Sequence, residues 1–383
     1  MAARSSFHLY SSQDGYSKQN RYSLAGKLSG HIGAVLCLSA TEDGSLLVSG
    51  VESSNSTGVD GLRIWDLATR KQLGAPSKAG SQGATTAVTW VSCSDDPDEA
   101  VFFGTQSGSL VCWRQLPGKS DVVEFEEKFD MPLAGSGEIT DIAFDHTNNQ
   151  LGVCNCTGVI QLYAINGDMS LSVLFSIAMQ EIVPINIAFW KGGDRKLLVF
   201  SMYNRAVHEL HADSTSHCLV EGVGMIGSAA ADVVKSRYII DDPSQGIALF
   251  RLNGGRLKTF TVKETKGWRP RQVTFADECR VVVSGSDHGI VYIFDRRSGQ
   301  MVDELSLGSD SWVQTVTAIE CHGRSSIAAA RSGNIDDSND IYIWTKQNTE
   351  QKPEDRVSGC GYLQKFLHVI MIVATVAFVI QNG

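Results

Sequence analysis

One spacing constrains the fold of this chain more than any other sequence feature. Gly30-His31 is followed, about 35 residues later, by Trp65-Asp66. Between the two dipeptides lie two short apolar runs, at residues 35–38 and 46–48, separated by the turn residues Glu42-Asp43-Gly44. Apolar runs of this length between turn residues are typical of buried β-strands. The stretch therefore predicts a unit of short antiparallel strands, with a third strand at 62–66 and a return strand after the turn at 68–70.

The same order of apolar runs recurs along the chain at intervals of about 45 residues. The region from Tyr22 to Thr345 accommodates about seven such units, of which the fifth has the weakest pattern. After the first unit, the predicted strands lie at 87–90, 100–104 and 110–114; 139–144, 151–154 and 159–163; 185–189, 197–200 and 206–210; 228–234, 238–240 and 247–250; 271–275, 281–286 and 290–295; and 313–319, 326–330 and 341–344.

The Gly-His and Trp-Asp pairs resemble the WD-repeat β-propeller family. Partial echoes of the Trp-Asp pair follow at Trp113-Arg114, Phe294-Asp295 and Trp344-Thr345. The resemblance implies an all-β, seven-bladed propeller over residues 22–346, in which the segment 21–30 supplies the outermost strand of the last blade and closes the ring. It also implies a blade-stiffening hydrogen-bond set, best matched here by His31, Ser49, Asp60 and Trp65, with Asp60 one residue closer to the tryptophan than in the family pattern.

The charge and cysteine content narrow the classes of function. The net charge of −9 argues against nucleic acid, because phosphate binding requires clustered lysine and arginine. Nine cysteines, several inside apolar runs, indicate small buried side chains in a reducing compartment. Cys154 and Cys156 are two residues apart, but the sequence offers no second pair to complete a zinc site. We therefore expect no metal ion or cofactor.

The sequence contains no convincing catalytic motif, and we expect a protein that is not an enzyme. Zinc-protease, phosphate-loop and nucleophile-elbow patterns are missing from it. Asp287 and His288 are adjacent in a turn, where an aspartate usually bonds its own backbone.

The links between the later units carry the residue types that are most enriched at protein-binding hot spots. One link contains Trp268, Arg269 and Arg271, and the corresponding link of the next unit contains Trp312. Both links are expected on the same face of the disc. The alternative interpretation is that each tryptophan fills the gap between two blades. A weaker candidate of the same kind is the turn that contains Tyr203 and Arg205.

Both ends of the chain differ from the repeats. Residues 1–21 are rich in serine and glutamine and predict a loose arm, and residues 347–361 form a polar linker. The segment from Tyr362 to Ile380 is almost wholly apolar, with about 19 residues, enough to cross a ~30 Å hydrocarbon core. This pattern predicts a C-terminal transmembrane helix over 362–381 that leaves the propeller in the cytosol. A helix docked on protein is the alternative.

Two functions are compatible with these features. The first is a non-enzymatic protein-interaction scaffold, tethered to a membrane and most simply to the endoplasmic reticulum, because a short span suits a thin bilayer. The second is a guanine-nucleotide exchange factor for a small GTPase. A blade-one insertion at 51–60 and a C-terminal span resemble the exchange factors of the endoplasmic reticulum that start vesicle-coat assembly. The sequence identifies neither the partner nor the oligomeric state.

Overall fold

Seven four-stranded antiparallel sheets account for the strands of the structure, a computed structural model. It describes residues 21–52, 61–74, 76, 83–92, 99–116, 123–190, 196–211, 216–220, 224–232, 234–252, 254–263, 269–308, 311–321, 323–332 and 339–347. The first strands of successive sheets contact one another in a closed cycle, so the sheets are the blades of a β-propeller. The seven-bladed architecture expected from the repeat spacing is confirmed.

The chain begins with β1 (Tyr22–Leu28) and then builds six blades in sequence order. Blades one to three contain β2 (Val35–Ala40), β3 (Leu46–Val51), β4 (Leu62–Asp66) and β5 (Lys71–Gln72); β6 (Thr85–Val91), β7 (Ala100–Thr105), β8 (Ser109–Gln115) and β9 (Phe125–Pro132); and β10 (Ile139–Asp145), β11 (Gln150–Asn155), β12 (Val159–Ile165) and β13 (Leu171–Ala178).

Blade five, the weakest in the sequence, is a regular four-stranded sheet like its neighbours. Blades four to six contain β14 (Pro184–Phe189), β15 (Leu197–Ser201), β16 (Val207–Leu210) and β17 (Ser216–Val220); β18 (Ser228–Asp232), β19 (Arg237–Asp242), β20 (Gly246–Arg251) and β21 (Arg256–Phe260); and β22 (Val273–Ala276), β23 (Val281–Ser284), β24 (Ile290–Asp295) and β25 (Met301–Ser306).

Blade seven joins the two ends of the propeller. Its strands are β26 (Thr315–Cys321), β27 (Arg324–Ala330) and β28 (Ile341–Lys346), and β1 pairs antiparallel with β28 as the fourth, outermost strand. The expected ring closure by the N-terminal segment is therefore confirmed. Closure removes an unpaired sheet edge that would otherwise template pairing with other chains. The compact unit that contains these strands ends at Lys346.

The burial of each strand explains which strands could be predicted from the sequence. The second strand of a blade lies between two neighbouring blades, and every residue of β3, β7 and β11 is buried. The sequences of these strands are therefore mainly apolar, without the alternation of a half-exposed strand. The fourth strand lies at the rim, and β9 and β13 alternate partly buried with exposed residues.

The aspartate of the Trp-Asp pair shapes the turn into the fourth strand. Asp66 Oδ1 accepts a hydrogen bond from the Thr69 amide at 2.6 Å, and Asp295 Oδ1 accepts one from the Ser298 amide at 2.7 Å. These bonds lower the pKa of both carboxyl groups, because they stabilise the ionised form. In blade two, Arg114 stands in place of this aspartate, and the connection between β8 and β9 is longer than the turn of blade one.

Bulged threonines join the first strands of neighbouring blades. In blades two and three the ladder shifts by one residue at Thr86 and Thr140, and such a bulge re-aims the side chain of the extra residue. The Thr86 hydroxyl donates to the Ile139 carbonyl at 2.6 Å, and the Thr140 hydroxyl donates to the Pro184 carbonyl at 2.7 Å. The inner ring is therefore held by hydrogen bonds as well as by apolar packing.

Candidate interaction surface

The alternation of strand direction sorts the loops of the propeller onto two faces. We call the face with the links between blades and the turns between second and third strands the top face. The bottom face carries the turns between first and second and between third and fourth strands. The predicted partner-binding residues belong to two links and one turn, and all of these lie on the top face.

Trp312 has a fixed position between blades six and seven. Its indole Nε1 donates to the Pro270 carbonyl at 3.1 Å, and its own carbonyl accepts the Ser332 amide at 2.8 Å. The next residue, Val313, donates its amide to the Ser286 carbonyl at 2.7 Å. The ring is half-buried, so it fills the gap between the blades and also presents part of its surface to solvent.

Arg269 covers the exposed part of this ring. Its guanidinium carbon lies 5.3 Å from the centroid of the Trp312 ring, a cation–π geometry. Arg269 itself is exposed. The two residues come from different links, and together they form one surface with a cation and an aromatic edge. We call this surface the Arg–Trp patch. It contains the groups that contribute most at protein interfaces.

Arg271, which the sequence placed in the same binding set, lies in the interior instead. It is 1% exposed, and Asp241 at the end of β19 is 0% exposed. Arg271 Nη2 and Nε reach Asp241 Oδ1 at 2.6 and 3.0 Å, and the Arg271 amide donates to Oδ2 at 3.0 Å. Burial raises the pKa of the Asp241 carboxyl, and Arg271 opposes that shift. Arg271 is therefore an anchor between blades five and six, because Nε and Nη2 of its guanidinium both bind Asp241.

Tyr203 and Arg205 occupy the turn between β15 and β16. Tyr203 is 64% exposed, and Arg205 adopts a left-handed backbone conformation with a φ of 48°. The Arg205 guanidinium forms an ion pair with Asp242 of blade five. Asp242 also accepts the Ser244 amide and hydroxyl, at 2.9 and 2.6 Å. The Arg205 side chain therefore ties two blades together, while Tyr203 is available to a partner.

The structure gives two residues that sequence reasoning missed. Asp241 and Asp242 follow the apolar run of β19 and hold the two arginines. Their signal was the Asp-Asp-Pro sequence at the end of a buried strand, where carboxylates are unexpected unless they are paired. Trp268 lies outside the described residues, so the predicted patch is described only by its remaining members.

Three of the four predicted blade-stiffening residues are joined by hydrogen bonds. The Ser49 hydroxyl lies 2.7 Å from His31 Nε2 and accepts the Trp65 indole N–H at 2.8 Å. The His31 and Trp65 rings meet edge to face at 5.5 Å. All three residues are buried. Asp60, the fourth member, lies outside the described residues.

Asp287 and His288 make contacts that the sequence did not indicate. His288 Nδ1 lies 2.8 Å from Asp287 Oδ1, and His288 Nε2 lies 2.6 Å from the Tyr292 hydroxyl. Tyr292 is fully buried, and burial raises its pKa to about 12. A phenol that is shielded from solvent and hard to ionise is not positioned as a nucleophile. Within the described ranges, no group of three or more His, Cys, Asp or Glu side chains is arranged to hold a metal ion.

Comparison of the sequence with protein-family models and with curated proteins finds no match. The class of protein therefore rests on architecture: a seven-bladed β-propeller closed by its N-terminal strand, consistent with the WD40 type. In the part of the chain that the structure describes, no helix has the length and apolar character to cross a bilayer. The predicted span from Tyr362 to Ile380 lies outside that part.

Proposed function

We propose that this chain is a non-enzymatic scaffold that binds a protein partner through the Arg–Trp patch and Tyr203 on its top face. The observation that carries the proposal is the preorganised pairing of Arg269 with Trp312. Fixing an aromatic anchor before binding lowers the entropy lost on association. A closed ring of blades offers a rigid frame for such a surface, and propellers commonly serve as interaction scaffolds.

Affinity capture with the full chain and quantitative mass spectrometry tests this proposal. Arg269→Ala and Trp312→Ala should lose partners that the unchanged chain retains, and truncation of a hot-spot residue typically weakens binding by more than about 2 kcal/mol, or ~30-fold. Arg280→Ala is the matched control, since Arg280 is also an exposed arginine but belongs to a bottom-face turn. If the Arg269 and Arg280 variants capture the same proteins in the same amounts, the top face is not the binding surface.

The proposal includes a membrane tether formed by Tyr362–Ile380, with the propeller in the cytosol and the endoplasmic reticulum as its location. It is supported by the apolar composition of that segment and by the polar linker that precedes it. Alkaline carbonate extraction of membranes should release a chain that ends at Gly359 but not the full chain. Release of both chains would contradict the tether and favour a helix docked on protein.

A second candidate function is nucleotide exchange on a small GTPase. The observation that favours it is the length of the insertion between β3 and β4. The described residues that flank this insertion are joined by the Val51 amide, which donates to the Gly61 carbonyl at 3.0 Å. The test is release of a fluorescent guanine nucleotide from small GTPases of the endoplasmic reticulum. Release no faster than the spontaneous rate would rule this candidate out.

A further inference from the structure

A cavity of about 670 Å³ lies among the first strands of blades three to seven and reaches the bottom-face turns. Small side chains leave this space open: Ala143, Ala188 and Ala230 lie along its wall. Its volume is within the range of small-molecule sites. Neither Arg269 nor Trp312 lines this cavity, so it is a separate site from the Arg–Trp patch.

One carboxylate in this cavity has a neutral counterpart in the next blade. Asp141 Oδ2 accepts the Ile187 amide at 2.8 Å and the Asn186 side-chain amide at 3.2 Å. Asn186 Oδ1 accepts the Ala229 amide of blade five at 2.7 Å. Both residues follow a bulge in the first strand of their blade. An amide oxygen is therefore sufficient to join two blades at this position, and the negative charge of Asp141 is not required for that role.

The charge of Asp141 is also costly to the fold. Burial raises the pKa of this carboxyl to about 6, because a low-dielectric environment disfavours the ionised form. Among the described residues, no lysine or arginine forms an ion pair with it. The basic residue on the cavity wall, Lys196, forms an ion pair with Glu209 at 2.9 Å. A carboxylate kept at such a cost, where an amide would do, indicates a ligand that needs the charge.

The rim of the cavity at its bottom-face end includes three aromatic side chains beside polar ones. Phe144, Phe189 and Trp190 all line it and are half-buried. Aromatic faces attract cations and pack well against alkyl chains. The two remaining ionisable groups on the wall have local partners: Asp145 accepts the Thr147 amide at 3.0 Å, and His146 Nδ1 lies 3.0 Å from the Ser92 carbonyl.

We propose that this cavity binds an ammonium or guanidinium group carried on a short alkyl chain. The carboxylate of Asp141 accepts hydrogen bonds from the cation, and the aromatic rim surrounds the alkyl chain. The cation supplies the positive charge that the described residues do not place beside Asp141. The same chemistry is offered by a free alkyl amine and by a basic side chain of a peptide.

Calorimetric titration of the full chain, in a non-ionic detergent, tests the proposal. The probes are n-butylammonium and n-butylguanidinium, with n-butanol as the neutral counterpart. We expect saturable one-to-one binding of a cationic probe and at least about tenfold weaker binding of the alcohol. Asp141→Asn should weaken binding of the cationic probe by a similar factor, while the amide oxygen of the new side chain still accepts the inter-blade hydrogen bonds. Asp130→Asn, which changes an exposed carboxylate of β9, should bind like the unchanged chain.

Three results would overturn the proposal: no saturable binding up to about 10 mM probe, equal binding of alcohol and cation, or unchanged affinity in a folded Asp141→Asn variant.

Glycine-serine peptides that contain a single lysine or arginine distinguish the two sources of the cation. Tighter binding of a peptide than of the free probe assigns the site to a partner's side chain, and the reverse assigns it to a small amine. Both of these binding results support a cation site at Asp141.

Discussion

The buried ion pair between Arg271 and Asp241 provides the sharpest test of how the blades are held together. Arg271→Met removes the guanidinium, keeps most of the side-chain volume and leaves the Asp241 carboxyl 0% exposed without its partner. Removal of one member of a buried pair typically costs about 3–5 kcal/mol, because the other charge stays buried and uncompensated. The remaining bond from the Arg271 amide, at 3.0 Å, keeps the expected loss near the middle of that range.

The expected change in melting temperature follows from the size of the propeller. Unfolding entropy near the midpoint is about 2.1 cal/mol/K per residue, so a propeller of roughly 325 residues gives about 0.7 kcal/mol/K. A loss of about 4 kcal/mol then lowers the melting temperature by about 6 °C. Calorimetry or circular dichroism of the full chain, with unfolding in urea as a second measurement, would detect this change.

A second variant and a matched control separate the buried charge from other effects. Arg271→Met with Asp241→Leu removes both charges and should recover most of the lost stability. Arg280→Met removes an exposed ion pair with Glu278, at 2.9 Å and with both side chains more than half exposed, and should change stability by less than about 0.5 kcal/mol. Equal melting temperatures of Arg271→Met and Arg280→Met would contradict a stabilising role of the buried ion pair, and so would a double variant that is no more stable than Arg271→Met alone.

Three further predictions concern the inner ring and the first blade. The pKa of Asp141 is about 6 in the folded state against an ordinary value of 3.8, so ionisation of this carboxyl lowers the free energy of unfolding as pH rises from about 4 to about 6. The Asp141→Asn variant should therefore be more stable than the unchanged chain at pH 7, by at most about 3 kcal/mol. Urea unfolding at pH 4 and at pH 7 measures this, and the same stability difference between the two chains at both pH values would contradict the prediction. Ser49→Ala removes the hydroxyl that binds the His31 and Trp65 ring nitrogens and should lower the free energy of unfolding by about 1–3 kcal/mol. The control Ser45→Ala, on an exposed turn, should lower it much less. Equal melting temperatures of the two variants would argue against a stabilising role of the buried hydrogen bonds. Thr140→Val should cost about 1 kcal/mol through loss of the hydrogen bond to the Pro184 carbonyl, and a melting temperature at or above that of the unchanged chain would count against the inter-blade bond.

The first three strands of most blades could be predicted from the sequence because burial leaves a clear pattern. β3 and β7 lie between two neighbouring blades, so every one of their residues is buried and most of them are apolar. The fourth strands β9 and β13 gave no comparable signal, since three of the eight residues of β9 and four of the eight residues of β13 are exposed at the rim. Their pairing is set by the strand beside them rather than by their own hydrophobic pattern.

The sequence by itself determined the repeat and the number of blades, because both depend on local apolar patterns and their spacing. The closure of the ring by the N-terminal segment was expected only from the resemblance of the Gly-His and Trp-Asp pairs to the WD-repeat family. Only the tertiary structure decided the roles of individual charged residues. Arg269 and Arg271 are two residues apart, yet one lies on the Arg–Trp patch and the other is buried against Asp241. Asp141 and Asn186 differ in charge but occupy the same position in neighbouring blades. The physical reason is that the free energy of a charged side chain depends on burial and on partners that other blades bring to it.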